Sequence, residues 1–143
     1  MGHREFNISL VQSGCEVKVM PIAEIDFSAF APGKPRIIDY SAKWVPESFE
    51  YNNTPRIIPA RVGGDVAAWI RAAALKSWNA LGCADFIRVD MRMDEKERVF
   101  VLEINANPDI SPDAGFAAAL STGSISAEEF VRMMVANASA RLL

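Results

Sequence analysis

Hydrophobic and polar residues alternate near the start of the chain. This period of two predicts a β-strand at residues 4–11 with one apolar face. Residues 12–14 have the composition of a turn, and residues 16–20 are predicted to return as a second strand, so the two form a hairpin. Because no element precedes the first strand, the chain is expected to be the C-terminal part of a larger protein.

A helical period replaces the alternation in the middle of the chain. Apolar residues recur every three or four positions from Asp65 to about Leu81, and the apolar stripe is expected to include Trp69. Asp65 is predicted to cap this helix, and Gly82 is predicted to follow its end.

Two more helices are predicted near the C-terminus. Ser126 with Glu129 three residues later forms a capping box, which predicts the start of the last helix. A shorter helix is predicted over residues 113–120, with Asp113 as a candidate cap. The elements together predict an α+β domain.

A proline-rich segment separates the first strands from the middle helix. Residues 29–61 show little periodicity, and only residues 36–38 and 56–58 are predicted to form short strands. A long irregular segment inside a compact domain is usually functional or mobile. We therefore expect this segment to contribute to a functional site.

The most informative pattern is a second hairpin, formed by residues 85–94 and 98–105. Apolar residues occupy every second position in each strand, so each strand has one apolar face. Both faces are expected to lie against the core. This assigns Phe100 and Leu102 to the core.

That shared orientation determines the strand pairing, because a slip of one residue would turn every side chain to the other face. It places Arg88 opposite Glu103 and Asp90 opposite Val101. Asp90 and Glu103 are then diagonal neighbours, roughly 7–8 Å apart at the backbone. The polar face is predicted to carry Arg88, Asp90, Glu103 and Asn105.

Two interpretations of this polar face stay open. Carboxylate and amide oxygens are the ligands that Mg²⁺ takes beside phosphate and water, so Asp90, Glu103 and Asn105 are candidate metal ligands. Alternatively, the face is solvated and Arg88 forms a surface ion pair that contributes little. Asn105 is unusual in a strand and leads into a turn-rich segment, which favours the metal and phosphate site.

Composition excludes several classes of function. A net charge of -3 offers no basic surface for nucleic acid, and no apolar run approaches the ~20 residues of a membrane span. Cys15 and Cys83 stand far apart, which excludes a zinc spacing and predicts buried free thiols. A metal-dependent nuclease is disfavoured, because Asn105 stands where such sites usually have lysine. Without a secretory signal, a cytoplasmic location is expected.

Four blocks of sequence resemble the ATP-grasp carboxylate–amine ligases, most closely the C-terminal part of D-alanine–D-alanine ligases. The blocks keep the order and spacing of that family, and they are REFNI (4–8), DYSAKW (39–44), ALGC (80–83) and the hairpin with LEINANP (102–108). The resemblance implies a C-terminal ATP-grasp domain over residues 1–143, a mainly antiparallel sheet with flanking helices. The N-terminal half of the parent protein is then expected to be missing.

The resemblance also implies roles for the hairpin residues. Asp90, Glu103 and Asn105 are implied to hold two Mg²⁺ ions, with Mn²⁺ as a substitute, against the phosphates of ATP. Arg88 is implied to stabilise the oxyanion that forms when an amine attacks an acyl phosphate.

Two further residues are assigned by the resemblance alone. Glu5 matches the acid that binds the nucleotide ribose, and Lys43 matches a lysine that reaches the γ-phosphate from a mobile loop. Isolated charges of this kind are otherwise common on surfaces. The implied partners are ATP and small amino-acid-like substrates.

The segment after the hairpin departs from the family pattern. Asp109 stands where D-alanine ligases tend to carry glycine near the oxyanion, and Ala114 stands where a serine meets the substrate carboxylate. An added carboxylate at Asp109 or Asp113 favours an amine, while Asp113 is also a candidate helix cap. The amine substrate therefore stays open.

Two functional hypotheses follow. The first is the ATP- and Mg²⁺-binding domain of a ligase that acts through an acyl phosphate. The second is a non-catalytic, metal-binding remnant or excised fragment, because the family's glycine-rich loop and phosphate-binding lysines are not in the sequence. In either case the chain alone is expected to show little activity, and exposed sheet edges are expected to drive self-association.

Overall fold

The structure, a computed structural model, describes residues 4–142. All strand pairs in this part of the chain are antiparallel, and helices flank the sheet, which confirms the predicted α+β class. The strands are β1 (Arg4–Ser13), β2 (Glu16–Val19), β3 (Ala23–Ile25), β4 (Arg56–Ile57), β5 (Phe86–Met93) and β6 (Val99–Asn105). The helices are α1 (Tyr40–Trp44), α2 (Phe49–Asn52), α3 (Gly64–Ala80), α4 (Gly115–Thr122) and α5 (Ala127–Ala140).

Strand β1 lies at the centre of the sheet. The strand order is β4-β3-β1-β5-β6, and β2 pairs with the C-terminal half of β1. The first predicted hairpin is therefore confirmed, and Gly14 in its turn has a φ of +61°, a conformation that favours glycine. β5 pairs with β1 along its whole length, so that Asn7 lies opposite Asp90.

The two faces of β1 contact different helices. Phe6, Ile8 and Leu10 are fully buried in a core that includes Ile70 and Ala74 of α3. Because side chains alternate along a strand, Val11 points to the opposite face and packs against α4 and α5. Glu5, Asn7 and Ser9 occupy that second face. It is therefore apolar near α4 and α5 and polar towards the start of β1.

Helix α3 differs from the prediction in its cap and its apolar stripe. Gly63 is the N-cap and makes no side-chain hydrogen bond, so Asp65 is not the cap. It lies in the first turn, where a carboxylate still stabilises the positive end of the helix dipole. Trp69 is 54% exposed, so the buried stripe is narrower than predicted. Gly82 follows the helix end with a φ of +58°, as predicted.

The proline-rich segment is more regular than predicted. Asp39 accepts a hydrogen bond from the Ala42 amide and begins α1, and Ser48 accepts one from the Tyr51 amide and begins α2. Helices this short have no visible period in the sequence. The strand predicted at residues 56–58 is confirmed as β4, whereas residues 36–38 form no strand.

The second hairpin forms with a different register. Met91 pairs with Val101, the register then shifts by a β-bulge, and Asp90 pairs with Glu103. The predicted pairing of Asp90 with Val101 is therefore wrong, and so is that of Arg88 with Glu103, because Arg88 pairs with Asn105. Leu102 is the extra residue of the bulge.

The bulge also changes which side chains face the core. Between the bulge and the turn, each side chain of β6 faces the opposite side of the sheet from the side predicted. Phe100 is 48% and Leu102 is 56% exposed, so neither belongs to the core. Val99 packs against the core in their place. An inserted residue reverses side-chain orientation locally, which no period-two pattern reveals.

The C-terminal helices confirm one predicted cap and correct another. The Glu129 amide donates to Ser126 Oγ at 3.1 Å, which confirms the serine half of the capping box. Ala114 is the N-cap of α4 and makes no side-chain cap, so Asp113 does not cap this helix.

Both cysteines are free thiols, but Cys15 is exposed and Cys83 half-buried, so the predicted burial is wrong. Among residues 4–142, no helix has both the length and the apolar character needed to cross a membrane.

Candidate functional site

An open cleft of about 980 Å³ lies over the polar face of β1, β5 and β6. Residues of α1, the segment after α2, β4 and α4 form its other walls. All six residues predicted from the sequence line this one cleft. They are Glu5, Lys43, Arg88, Asp90, Glu103 and Asn105.

Asp90 is held at the floor of the cleft by two neighbours. Its carboxylate accepts hydrogen bonds from Arg88 Nε at 2.7 Å and Arg88 Nη2 at 2.8 Å. Asn7 Nδ2 donates to the same carboxylate at 2.9 Å from the paired position on β1. Arg88 thus forms a two-bond pair with Asp90 on the same strand face, in place of the surface ion pair with Glu103 that was the alternative interpretation. Asn7 was missed, although its place on the polar face of β1 was a usable signal.

The charges around Arg88 keep it protonated. The hydrogen-bonded Asp90 raises the pKa of the Arg88 guanidinium above its usual value, and Glu103 and Glu5 raise it further through their charges. Two of its five N–H groups bind Asp90, so three remain to donate to a ligand.

Glu5 lies in the same polar face, and its surroundings shift its pKa in opposing directions. Burial raises its pKa above the ordinary value, and the charge of Asp90 raises it further. Arg92, with Nε 3.9 Å from Glu5 Oε2, acts in the opposite direction, as do the Ile38 amide and Lys43. Burial is the largest effect, so Glu5 holds its proton to higher pH than a solvated glutamate.

The donor set at the hairpin matches a small divalent cation that also binds phosphate. Asp90 and Glu103 are directly paired, closer than the diagonal arrangement predicted, and Asn105 follows on β6. Within residues 4–142, no group of three or more histidine, cysteine or acidic side chains could hold a metal. Mg²⁺ often takes only one or two protein carboxylates and completes its shell with phosphate and water. Two carboxylates and one amide therefore fit Mg²⁺ only together with a phosphate.

Two of these donors already accept hydrogen bonds. Asn105 Oδ1 accepts from the Asn107 amide at 2.9 Å, and Asp90 is paired with Arg88. Asp90 Oδ2 and Asn105 Oδ1 each accept a single hydrogen bond, so each keeps a lone pair that a cation can share. Glu103 is exposed, and its carboxylate is the most accessible of the set.

The cleft is covered by the segment that carries α1 and α2. Lys43 of α1 is exposed and interacts electrostatically with Glu5 across the cleft. Trp44 and Tyr51 from the same segment also line the cleft, and no sequence signal had assigned them a role. A lysine can bind a phosphate and an aromatic ring can stack on a base, so this wall is suited to a nucleotide.

The segment after β6 adds charge to the opposite wall. Asp109 Oδ1 accepts from the Ser111 amide at 2.8 Å and from Ser111 Oγ at 2.6 Å. These bonds lower the pKa of Asp109, and the nearby charges of Arg56 and Arg88 lower it further. Arg56 was not recognised as a site residue in the sequence, where a basic residue in a short strand is unremarkable.

An antiparallel sheet with this polar face and covering segment is the C-terminal region of an ATP-grasp fold. Residues 1–136 match the family model described as D-ala D-ala ligase C-terminus, and the chain belongs to this family. The crystal structure of D-alanine–D-alanine ligase from Bacillus anthracis complexed with ATP is similar over 99% of this chain and 40% of that one, with a TM-score of 0.72 and 18% identity. The ligase from Coxiella burnetii is similar over 98% of this chain and 32% of that one, with a TM-score of 0.73 and 16% identity.

Curated D-alanine–D-alanine ligases are also similar to this chain in sequence. The D-alanine–D-alanine ligase of Desulforudis audaxviator is 38% identical over 111 residues, which is 74% of this chain and 32% of the relative. That of Carboxydothermus hydrogenoformans is 33% identical over 118 residues, which is 82% of this chain and 34% of the relative. The chain thus spans about a third of the length of the curated relatives it matches.

Proposed function

We propose that this chain is the ATP- and Mg²⁺-binding domain of a cytoplasmic ATP-dependent carboxylate–amine ligase that acts through an acyl phosphate. The observation that carries the proposal is the convergence of the six predicted residues on one cleft. They come from β1, α1, β5 and β6, so their meeting is a property of the fold. Membership of the ligase family supports the same reaction class.

The proposal assigns each residue one task. Asp90, Glu103 and Asn105 hold Mg²⁺, which neutralises phosphate charge when bound. Mn²⁺ is the expected substitute, because it accepts the same oxygen ligands. Glu5 binds the ribose hydroxyl groups, which donate hydrogen bonds to its carboxylate oxygens.

Lys43 and Arg88 act on the reacting end of the nucleotide. Lys43 binds the γ-phosphate from the covering segment. Arg88 donates its remaining N–H groups to the oxyanion that forms when the amine attacks the acyl phosphate. Because Asp90 already fixes the Arg88 guanidinium, little reorganisation is needed when that charge develops.

We further propose that residues 1–143 are the C-terminal ATP-grasp domain of a longer ligase and that an N-terminal half completes the nucleotide pocket. The chain's coverage of about a third of its relatives supports this division. The chain alone then binds Mg²⁺-ATP weakly and turns over little.

Calorimetric titration of Mg²⁺-ATP into the chain tests the nucleotide site. Glu103→Gln keeps the shape of the side chain and removes a metal ligand, so we expect about a tenfold loss of affinity, about 1.4 kcal/mol. Glu128→Gln on α5, whose side chain pairs with Arg132 away from the cleft, is the matched control. Equal affinity for ATP with and without Mg²⁺, or an unchanged Glu103→Gln variant, would contradict the proposal.

The reaction is tested with the longer gene product that contains this chain. We expect ADP release that depends on both a carboxylate and an amine, over a panel of amino acids. Nucleotide binding without any such turnover would favour the alternative of a non-catalytic metal-binding remnant.

A further inference from the structure

Arg56 places an unused guanidinium in the cleft. Its backbone pairs with Ile25 in the short strand β4, and its side chain is exposed at the cleft wall. Among the described residues it forms no side-chain hydrogen bond and no ion pair within 4.0 Å, and its electrostatic neighbour is Asp109. Arg88, the other arginine of the cleft, is already paired with Asp90. Arg56 is thus the cation in this wall with all its donors available.

Gly115 makes room for the Arg56 side chain. A Cβ atom at Gly115 would lie 3.1 Å from Arg56 Nε and 3.2 Å from both Cδ and Cζ. A larger residue at 115 would require the Arg56 side chain to shift by a few tenths of an ångström. The arginine head therefore lies at the start of this helix, whose N-cap residue Ala114 offers no side-chain hydrogen bond.

An unused carboxylate lies near the unused guanidinium. Oδ1 of Asp109 accepts both hydrogen bonds from Ser111, whereas its Oδ2 accepts no hydrogen bond from the described residues. Arg56 helps to lower the pKa of Asp109, which keeps the carboxylate charged. Arg56 and Asp109, both within the described residues 4–142, nevertheless form no direct ion pair with each other. A separated cation and anion in one cleft complement a ligand that carries both charges.

We propose that Arg56 binds the carboxylate of a zwitterionic amino-acid substrate, with Asp109 facing the ammonium group. A guanidinium binds a carboxylate by two parallel N–H bonds, which determines orientation as well as affinity. Arg56 therefore acts as a specificity residue at the non-reacting end of the substrate. This inference rests on the proposed ligase function and adds to it one residue that anchors the carboxylate of the amino-acid substrate.

Nuclear magnetic resonance of the ¹⁵N-labelled chain tests the anchor directly. The Nε–H signal of Arg56 is identified by its loss in Arg56→Lys, and the probes are D-alanine, L-alanine and the two alaninamides, which lack the carboxylate. We expect a saturable shift of the Arg56 signal with at least one alanine and none with its amide. Mg²⁺-ATP alone should shift the hairpin signals and leave Arg56 unaffected.

Variants separate binding from folding. Arg56→Met should weaken alanine binding, followed at the Gly115 amide, by about tenfold, while the rest of its spectrum stays that of the folded protein. Arg132→Met, which removes an exposed arginine of α5, should bind alanine like the wild type.

Three results would overturn this inference: an equal response to alanine and its amide, an Arg56 response only to Mg²⁺-ATP, or no saturable response to either alanine. The hairpin signals test the nucleotide proposal independently of the Arg56 signal. An Arg56 response to alanine without a hairpin response to Mg²⁺-ATP would support the anchor and count against the proposed nucleotide site alone.

Discussion

At the scale of single residues, Asp90 is the centre of the candidate site. It is only 8% exposed, and three hydrogen bonds from Asn7 and Arg88 satisfy its charge. A buried carboxylate is tolerated only with such partners. The same bonds that compensate for the burial of the Asp90 carboxylate also orient Arg88, so one interaction positions both the proposed metal ligand and the proposed anion-binding group.

Glu5 provides a prediction about pH. Its pKa is raised in the folded protein, mainly by burial, so folding favours its protonated form. The free energy of unfolding should therefore fall as pH rises from the unfolded to the folded pKa, and the penalty is complete above the folded value. Glu5→Gln should be more stable than the wild type at neutral pH, with a difference that shrinks on acidification.

Denaturant unfolding from about pH 4 to pH 8 measures this difference. Glu128→Gln controls for the loss of a carboxylate at an exposed position. A stability gain of Glu5→Gln that grows towards low pH would show that burial is not the dominant influence on Glu5.

At the scale of elements, Lys34 anchors the covering segment. Its Nζ lies 2.5 Å from Glu50 Oε1 of α2 and 4.9 and 4.6 Å from the ring centroids of Phe30 and Phe49. One cation thus joins the segment before α1 to α2. The short helices themselves bury no residue, so this contact is one of the tethers of the covering segment that carries Lys43.

Lys34→Met should loosen this segment. Loss of an ion pair and two cation–π contacts is expected to increase hydrogen exchange in α2 by about two- to fivefold. Mg²⁺-ATP binding should weaken in parallel, because Lys43 is then held less often over the cleft. Lys76→Met, at an exposed position of α3, is the control. Unchanged exchange in α2 would show that other contacts hold the segment.

The hairpin shows which features of an element a pattern can predict. The presence of both strands, their polar residues and the turn between them were predictable from alternation. The bulge at Leu102 was not, because it depends on how β6 meets β5. It brought Asp90 and Glu103 directly opposite each other, so the predicted residues line one cleft but with a strand pairing that differs from the predicted one.

At the scale of the whole molecule, β6 forms an edge of the sheet with apolar residues on it. Phe100, Val101 and Leu102 are exposed side by side at the end of the strand order. Unpaired edges with apolar side chains favour association with another chain. Self-association of the chain therefore stays a prediction, now assigned to this edge.

Sedimentation velocity over a range of concentrations measures that association. Leu102→Lys places a charge on the edge and should shift the chain towards monomer. Val135→Lys, at an exposed position of α5, should leave the association unchanged. A wild-type chain that stays monomeric at all concentrations would contradict the prediction.

The sequence by itself determined the features that depend on neighbouring residues. Alternation revealed β1, β5 and β6, because side-chain direction follows from local backbone geometry. The order of motif residues indicated Glu5, Lys43 and the candidate ligands of the hairpin. Only the tertiary structure decided the contacts between distant segments. Asn7 meets Asp90 across 83 positions of sequence, and Arg56 meets Gly115 because β4 and α4 close the same cleft. Such contacts depend on how the elements pack, which no local pattern records.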